Sequence, residues 1–348
     1  MKKHTHYDRA DARAIRHGGI ADAVMASGGT HFDSAEEASV FFARELDYVK
    51  AQSYDVEYPE LTALSLFPAS SEADEGAETI TYYTYDKTGV AKIIDNYSTD
   101  LPRADVDGKP SYAKIKSLGA SYGYSAQEMR ASRLAGKSLD SRKAESARYA
   151  IDSATNRIAW AGDEDSGLMG VLSAGQNIPM FTIQPNAEGE TSWLKKTPDE
   201  VLADINAMAK QVSKLTKNVE RPDTLVVPAD VFMHISTERL SNIDVTVKKF
   251  LLDNAPYIKE IVSAAELDAD SVDTNPYAAE GADGQGVAFL FTKDKRKMSL
   301  ENPMPYNQYP VQVKGLETVV PCEARTAGVI MYYPFSAMIA VGVSDNEE

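Results

Sequence analysis

One cysteine, Cys322, stands in 348 residues, so an intrachain disulfide and a cluster of metal-binding thiolates are both excluded. A lone thiol also fits assembly in a reducing compartment. Histidine is nearly as scarce. Of the five, His4, His6, His17, His31 and His234, none has the spacing of an HExxH zinc helix. Long apolar runs are missing too: no stretch approaches the ~20 residues of a membrane span, and the opening MKKHTHYDRADARAIRHGG lacks the apolar core of a secretory signal. The expectation is a soluble, unexported chain with no membrane contact. Positive charge is in deficit, with 36 Lys and Arg against 52 Asp and Glu, for a formal net charge of −16. That balance opposes tight binding of nucleic acid through phosphate contacts.

What is there is an ordinary globular composition, 43% hydrophobic and 25% charged, long enough to bury a sizeable core in about two or three domains. Residues 2–16 reverse the overall sign, with Lys2, Lys3, Arg9, Arg13 and Arg16 against Asp8 and Asp11. They read either as a solvated basic arm or as a contact for an acidic partner. With the Gly18-Gly19 and Gly28-Gly29 pairs, residues 1–33 look like an arm that needs something outside itself to lie on. A helix is expected from Ser34, which has Glu37 at capping-box spacing and Ala38, Phe41, Glu45 and Tyr48 along one face.

In 79-TITYYTYDKTGVAKIIDNY-97 the β-branched and aromatic residues flank Asp86-Lys87-Thr88-Gly89, which predicts a long hairpin turning there. The following 98-STDLPRADVDGKP-110 offers it nothing to pack on, and a lone two-stranded hairpin is marginal in water. The hairpin therefore predicts a docking surface, such as another copy of the chain. A strand-like stretch at 111–125 precedes a short helix at 126–135, opened by Ser125 with Glu128 and closed by Gly136. A second helix runs from Asp140 to about Trp160 with Ala144, Ala147, Ile151, Ala154 and Ile158 as its small, apolar stripe.

Directly after it comes 161-AGDEDSGLMGVLS-173, where acids and glycines gather as in an active-site loop. A phosphate-binding loop needs Lys and Ser/Thr after its second glycine, and here Leu168 and Met169 follow Gly167. A calcium loop starting at Asp163 needs Gly and Glu where Leu168 and Ala174 stand. The dinucleotide fingerprint is only half present, in Gly167-Leu168-Met169-Gly170. What remains is a helix-ending turn. Downstream, Thr197-Pro198-Asp199-Glu200 opens an amphipathic helix carrying Val201, Ile205, Met208, Val212 and Leu215. Strands are expected at 224–228, 258–262 and 286–292, short helices near 229–236 and 245–253, and two or three closing strands in 309–343.

Catalytic constellations are lacking. His4 and His6 read as part of a solvated arm, His234 as a packed or surface histidine, and Cys322 as a buried structural thiol. Acid pairs such as Asp163 with Asp165 or Asp105 with Asp107 carry no specificity in so acidic a chain. No Gly-x-Ser-x-Gly elbow is present. No catalytic, cofactor-binding or metal-binding residue is assigned, no cofactor is implied, and the expectation is a protein that is not an enzyme.

The order of parts is itself informative. The stretch 119-GASYGYSAQEMRASRLAGKSLDSRKAESARYAIDSATNRIAWAGDEDSGLMGVLS-173 resembles the strand, spine helix and glycine turn of tailed-bacteriophage major capsid proteins, which have the HK97-type fold. The stretch 89-GVAKIIDNYSTDLPRADVDG-108 is similar to the hairpin region of one capsid subfamily. The resemblance implies an α+β, HK97-like fold. It has an N-terminal arm at 1–33, an extended loop (E-loop) at 75–110, a peripheral domain at 34–74, 111–165 and 305–348 with its spine helix at 140–160, and an axial domain at 166–304. It further implies a virion protein, assembled in the host cytoplasm as pentamers and hexamers of an icosahedral shell around double-stranded DNA, without sequence-specific binding. Scaffolding and portal proteins would be partners, and a decoration protein an optional one. Because the sequence begins at Met1, a separate scaffolding protein is expected rather than a long N-terminal segment removed on maturation. Some members of the family cross-link subunits through Lys–Asn isopeptide bonds, for which Lys87 and Lys92 are candidates by position only. Two other readings stay open: an encapsulin-type nanocompartment around cargo enzymes, and a soluble α+β enzyme using dispersed acids.

Overall fold

A computed structural model of the chain describes residues 58–93, 101–135, 142–241, 243–280 and 283–346. The expected arm at 1–33 and the helix from Ser34 lie outside the described residues.

A one-turn helix α1 (Ala63–Leu66) and a two-residue strand β1 (Ala69–Ser70) come first, and the chain then runs out along β2 (Thr79–Thr88) and back along β3 (Asp105–Lys114). Strand β4 (Lys116–Ser125) leads into α2 (Ala126–Ala135). The capping box is present there: Glu128 N–H donates to Ser125 Oγ at 3.1 Å, and Ser125 N–H to Glu128 Oε2 at 2.9 Å. The alanine-rich pattern becomes the spine helix α3 (Arg142–Trp160), followed by the short strands β5 (Gly162–Asp163) and β6 (Leu168–Met169). Next come β7 (Met180–Phe181), α4 (Pro198–Leu215), β8 (Thr224–Val227), α5 (Ala229–Thr237), α6 (Val247–Asn254), β9 (Glu260–Ser263) and β10 (Gln285–Phe291). Helix α4 opens on a complete capping box between Thr197 and Glu200, with Pro198 in the first turn where its missing N–H costs nothing. The chain finishes with β11 (Met298–Glu301), β12 (Met304–Gln308), β13 (Gln312–Lys314), β14 (Glu317–Thr326), β15 (Gly328–Met331) and β16 (Ala337–Asp345).

The central sheet has the order β7-β16-β10-β8-β9 and is covered on both faces. Leu225, Val227, Ala288, Leu290, Met338 and Ala340 point into one core with α4, α5 and α6. Val226, Val287, Phe289, Phe291 and Ile339 point into the other, against Trp160, Phe67 and the sheet β1-β11-β15-β6-β5. Burial on both sides is why 224-TLVV-227 and 286-GVAFLF-291 are continuous apolar runs rather than alternating ones. The spine helix lays Ala147 and Ile151 on a third sheet, where β14 pairs with β4, β12 and β13, over Cys322 and Ala324.

One sequence-based expectation is corrected. The hairpin does not turn at Asp86–Gly89. Strand β2 runs through those residues to Thr88 and pairs with β3 from Thr79↔Lys114 to Thr88↔Asp105. Residues 105–110 of the stretch read as offering the hairpin nothing to pack on are thus part of its second strand. Both strands of a two-stranded ribbon are edges, where Pro110 is tolerated, and Gly108 makes room for the Tyr85 ring opposite. The closing strands expected in 309–343 separate: β14, β15 and β16 enter three different sheets. Gly328, at φ +72° and where a β-carbon would lie 2.3 Å from Met169 O, makes the bend between the first two.

Candidate functional site

The β2–β3 ribbon places bulky side chains on a surface with no core beneath them. Alternation puts Tyr83, Tyr85 and Lys87 on one face with Tyr112, Pro110 and Val106, and puts Tyr82, Thr84 and Asp86 on the other with Ser111, Lys109 and Asp107. On the first face Tyr83, Tyr85 and Tyr112 remain 58%, 69% and 69% exposed, although the first two rings stack at 6.2 Å. A ribbon that leaves three tyrosines in water has not buried enough to stand alone.

The ribbon is held at its root. The Tyr82 ring meets Tyr332 edge-on at 5.2 Å. Tyr332 Oη lies 2.9 Å from Ser299 Oγ and donates to Glu301 Oε1 at 3.1 Å, and burial pushes the phenol up to about 12. Between root and body lies a cleft of about 390 Å³ edged by Tyr82, Lys109, Lys114, Met169, Gln176 and Tyr332.

The glycine turn beside this root is a folding device. The last carbonyls of a helix lack intrahelical donors. Here the chain doubles back, so that Val171 N–H reaches Ala159 O at 2.9 Å and Leu172 N–H reaches Trp160 O at 2.8 Å. Ser173 Oγ donates to Ala161 O at 2.8 Å and accepts from Gly170 N–H at 2.9 Å. Gly162 and Gly167 take φ of +81° and +73°, the left-handed region. Asp163 sits in the small β5–β6 hairpin, and every donor and acceptor named above serves the backbone.

A second device ties the spine helix to the rest of the chain. Asn156, 3% exposed, accepts from Ala63 N–H at 2.9 Å and donates to Glu266 Oε1 at 2.8 Å. Glu266 also accepts from Thr62 N–H and Thr62 Oγ1, both at 2.9 Å. Three remote segments thus meet at one buried carboxylate. No sequence pattern marks this site, because a single Asn and a single Glu 110 positions apart leave no periodic signal.

The residues singled out from the sequence are dispersed. Lys87 lies in β2 and Lys92 beyond its end, both exposed. Cys322 is buried under the spine helix and accepts from Tyr306 Oη at 3.0 Å. His234 lies in α5, its Nε2 buried without a hydrogen-bond partner. Asp105 and Asp107 both lie in β3. Among the described residues no group of three or more His, Cys, Asp or Glu side chains is placed to hold a metal ion, and no helix is long and apolar enough to cross a membrane.

Comparison with known proteins gives this arrangement a context. A family model described as major capsid protein matches residues 89–343. Curated proteins include no match to this sequence. Among solved structures, the capsid of Myoviridae phage XM1 superposes with a TM-score of 0.72 at 17% identity, covering 88% of this chain and 100% of that one. Mycobacterium phage Bobi gives 0.56 at 13% identity over 85% and 94% of the two chains. A virus-like particle from Pyrococcus furiosus gives 0.51 at 12% identity over 80% and 91%. At such identities these likenesses establish the fold, which is the HK97-like capsid fold.

Proposed function

The chain belongs to the major capsid protein family, and we propose on that premise that it builds the icosahedral head of a tailed bacteriophage around double-stranded DNA. Closed shells arise from heterologous contacts repeated between copies. The observation that carries the reading is the exposed β2–β3 ribbon, a long element with three uncovered tyrosines whose stability calls for a neighbour. The extended loop is 75–110, its ribbon running on to Lys114. The peripheral domain is 34–74, 111–165 and 305–348, with the spine helix along its sheet, and the axial domain is 166–304, gathered about the five- and six-fold axes. The last strand β16 joins the axial sheet, so the two domains share a core.

The role is structural rather than enzymatic. The net charge of −16 suits a wall along which DNA moves in and out without adhering. Scaffolding and portal proteins assist assembly in the host cytoplasm, and the basic stretch at 2–16 is a contact for an acidic scaffold. Expression of the full chain followed by light scattering and negative-stain imaging tests the reading. Closed megadalton shells are expected. A monodisperse small oligomer would overturn it, and shells purified with a defined protein cargo would favour the nanocompartment instead.

A further inference from the structure

The ribbon changes character along one of its faces. Near the root, Tyr82 and its partner Ser111 lie over the ribbon's own body, where Tyr82 meets Tyr332. Further out the same face carries Lys109, opposite Thr84, and beyond it turns acidic. Asp86 and Asp107 are direct cross-strand partners, and Asp105 is the next β3 residue on that face. Like charges placed opposite one another destabilise a ribbon. Among the described residues, no Lys or Arg forms an ion pair with any of the three. Beyond its root this face is exposed at Thr84, Asp86, Thr88, Asp105, Asp107 and Lys109.

Helix α2 presents the complementary surface. It turns Met129 and Ser132 inward, with Thr318 Oγ1 3.5 Å from Met129 Sδ. At the helical spacing i, i+3, i+4, Arg130, Arg133 and Leu134 face outward, all exposed, Leu134 at 93%. No ion pair among the described residues engages either arginine. In a chain of net charge −16, a helix face with two unpaired guanidinium groups beside an uncovered leucine is a defined basic and apolar stripe.

We propose that the acidic outer part of the ribbon docks on α2 of a second copy, with Asp86, Asp105 and Asp107 meeting Arg130 and Arg133. This rests on the reading that the ribbon reaches a neighbouring subunit, and it names the surface on which the ribbon lies and the chemistry of the contact. Every copy carries both halves, and no ion pair joins them within one copy, as a heterologous contact repeated round a shell requires. Guanidinium groups suit the task, because their planar fork binds carboxylates bidentately.

Charge exchange in the full-length protein tests the proposal, with the assembled fraction read by sedimentation and negative-stain imaging. Asp86→Lys with Asp107→Lys, and separately Arg130→Glu with Arg133→Glu, should each lower that fraction at least about tenfold, and the four changes together should restore most of it. Asp86→Asn with Asp107→Asn removes the repulsion within the ribbon; it should still weaken assembly, whereas a purely local role for the acids predicts improvement. Doubles that assemble like the wild type, or a quadruple variant no better than either double, overturn the proposal. Replacing residues 84–109 by a short turn separates the two levels. If that variant assembles normally, the ribbon reading itself fails; if it is blocked while the charge variants assemble normally, only the docking on α2 fails.

Discussion

A methyl group on Gly170 would lie 2.3 Å from Gly162 N, 2.5 Å from Trp160 O and 2.6 Å from Ile158 O. All three are backbone atoms of the helix end and the returning chain, and none can step aside. At Gly167, by contrast, the same methyl would meet only the Lys114 side chain, at 3.0 Å and beyond, which is free to move. From the sequence alone, Gly162→Val or Gly167→Val is expected to impair assembly. The structure separates the two, since a methyl on Gly162 would lie 2.5 Å from Ser173 Oγ and 2.7 Å from Gly170 N and Leu168 O, and it adds Gly170, whose neighbours in sequence say nothing about this close approach. Gly170→Ala should lower the stability of the unassembled subunit by about 3 kcal/mol or more through overpacking. Gly167→Ala should cost only the left-handed backbone term of about 1–2 kcal/mol. Chemical denaturation of the two variants checks the ranking, and equal losses would contradict it.

At the scale of elements, Thr197 with Glu200 and Ser125 with Glu128 were legible because both capping partners lie within one turn, and both boxes are formed. Helix α5 starts differently: Ala229 N–H donates to Asp268 Oδ1 at 2.8 Å, from a residue 39 positions away. No local reading finds such a cap. Burial raises the Asp268 carboxyl to about 6, aided by Asp230, Asp270 and Glu266 and opposed by the Ala229 hydrogen bond. A folded-state value above the unfolded one means that the folded chain holds this proton more tightly. The stability it contributes is complete below about pH 4 and is lost as pH rises through about 6. Asp268→Asn keeps an acceptor for Ala229 and removes the titration. Thermal unfolding of the unassembled subunit should therefore show the variant more stable than the wild type at pH 7.5, with the difference shrinking by pH 4. A difference independent of pH would rule this account out. The ribbon shows the opposite limit of legibility. Its first strand was plain from 79-TITYYTY-85, but its partner was not, because Asp, Gly, Lys and Pro in 105–110 carry the composition of a loop and only pairing makes them a strand.

For the whole molecule, the joint at Glu266 matters most, since its four hydrogen bonds bind together the α1 segment, the spine helix and the turn that follows β9. Asn156→Ala leaves the buried Ala63 N–H without its acceptor and takes one of two donors from Glu266 Oε1, which keeps Thr62 N–H. The loss should be about 3 kcal/mol, accompanied by faster hydrogen exchange in both 59–67 and 264–268. Faster exchange in only one of those segments would mean that Asn156 does not couple them.

The sequence by itself determined what this protein is made of. It excluded intrachain disulfides and thiolate metal clusters by counting, set the helices through caps and 3.6-residue periodicity, and marked the doubly covered strands by their unbroken apolar runs. Those are local properties, fixed by neighbours within a turn or a strand. Only the tertiary structure decided where the three closing strands go, which strand completes the ribbon, that one carboxylate joins three segments, and that Gly162 and Gly170, unlike Gly167, face backbone that cannot move. Each of these depends on residues tens to hundreds of positions apart being brought within hydrogen-bond or van der Waals distance, and that proximity leaves no periodic trace along the chain.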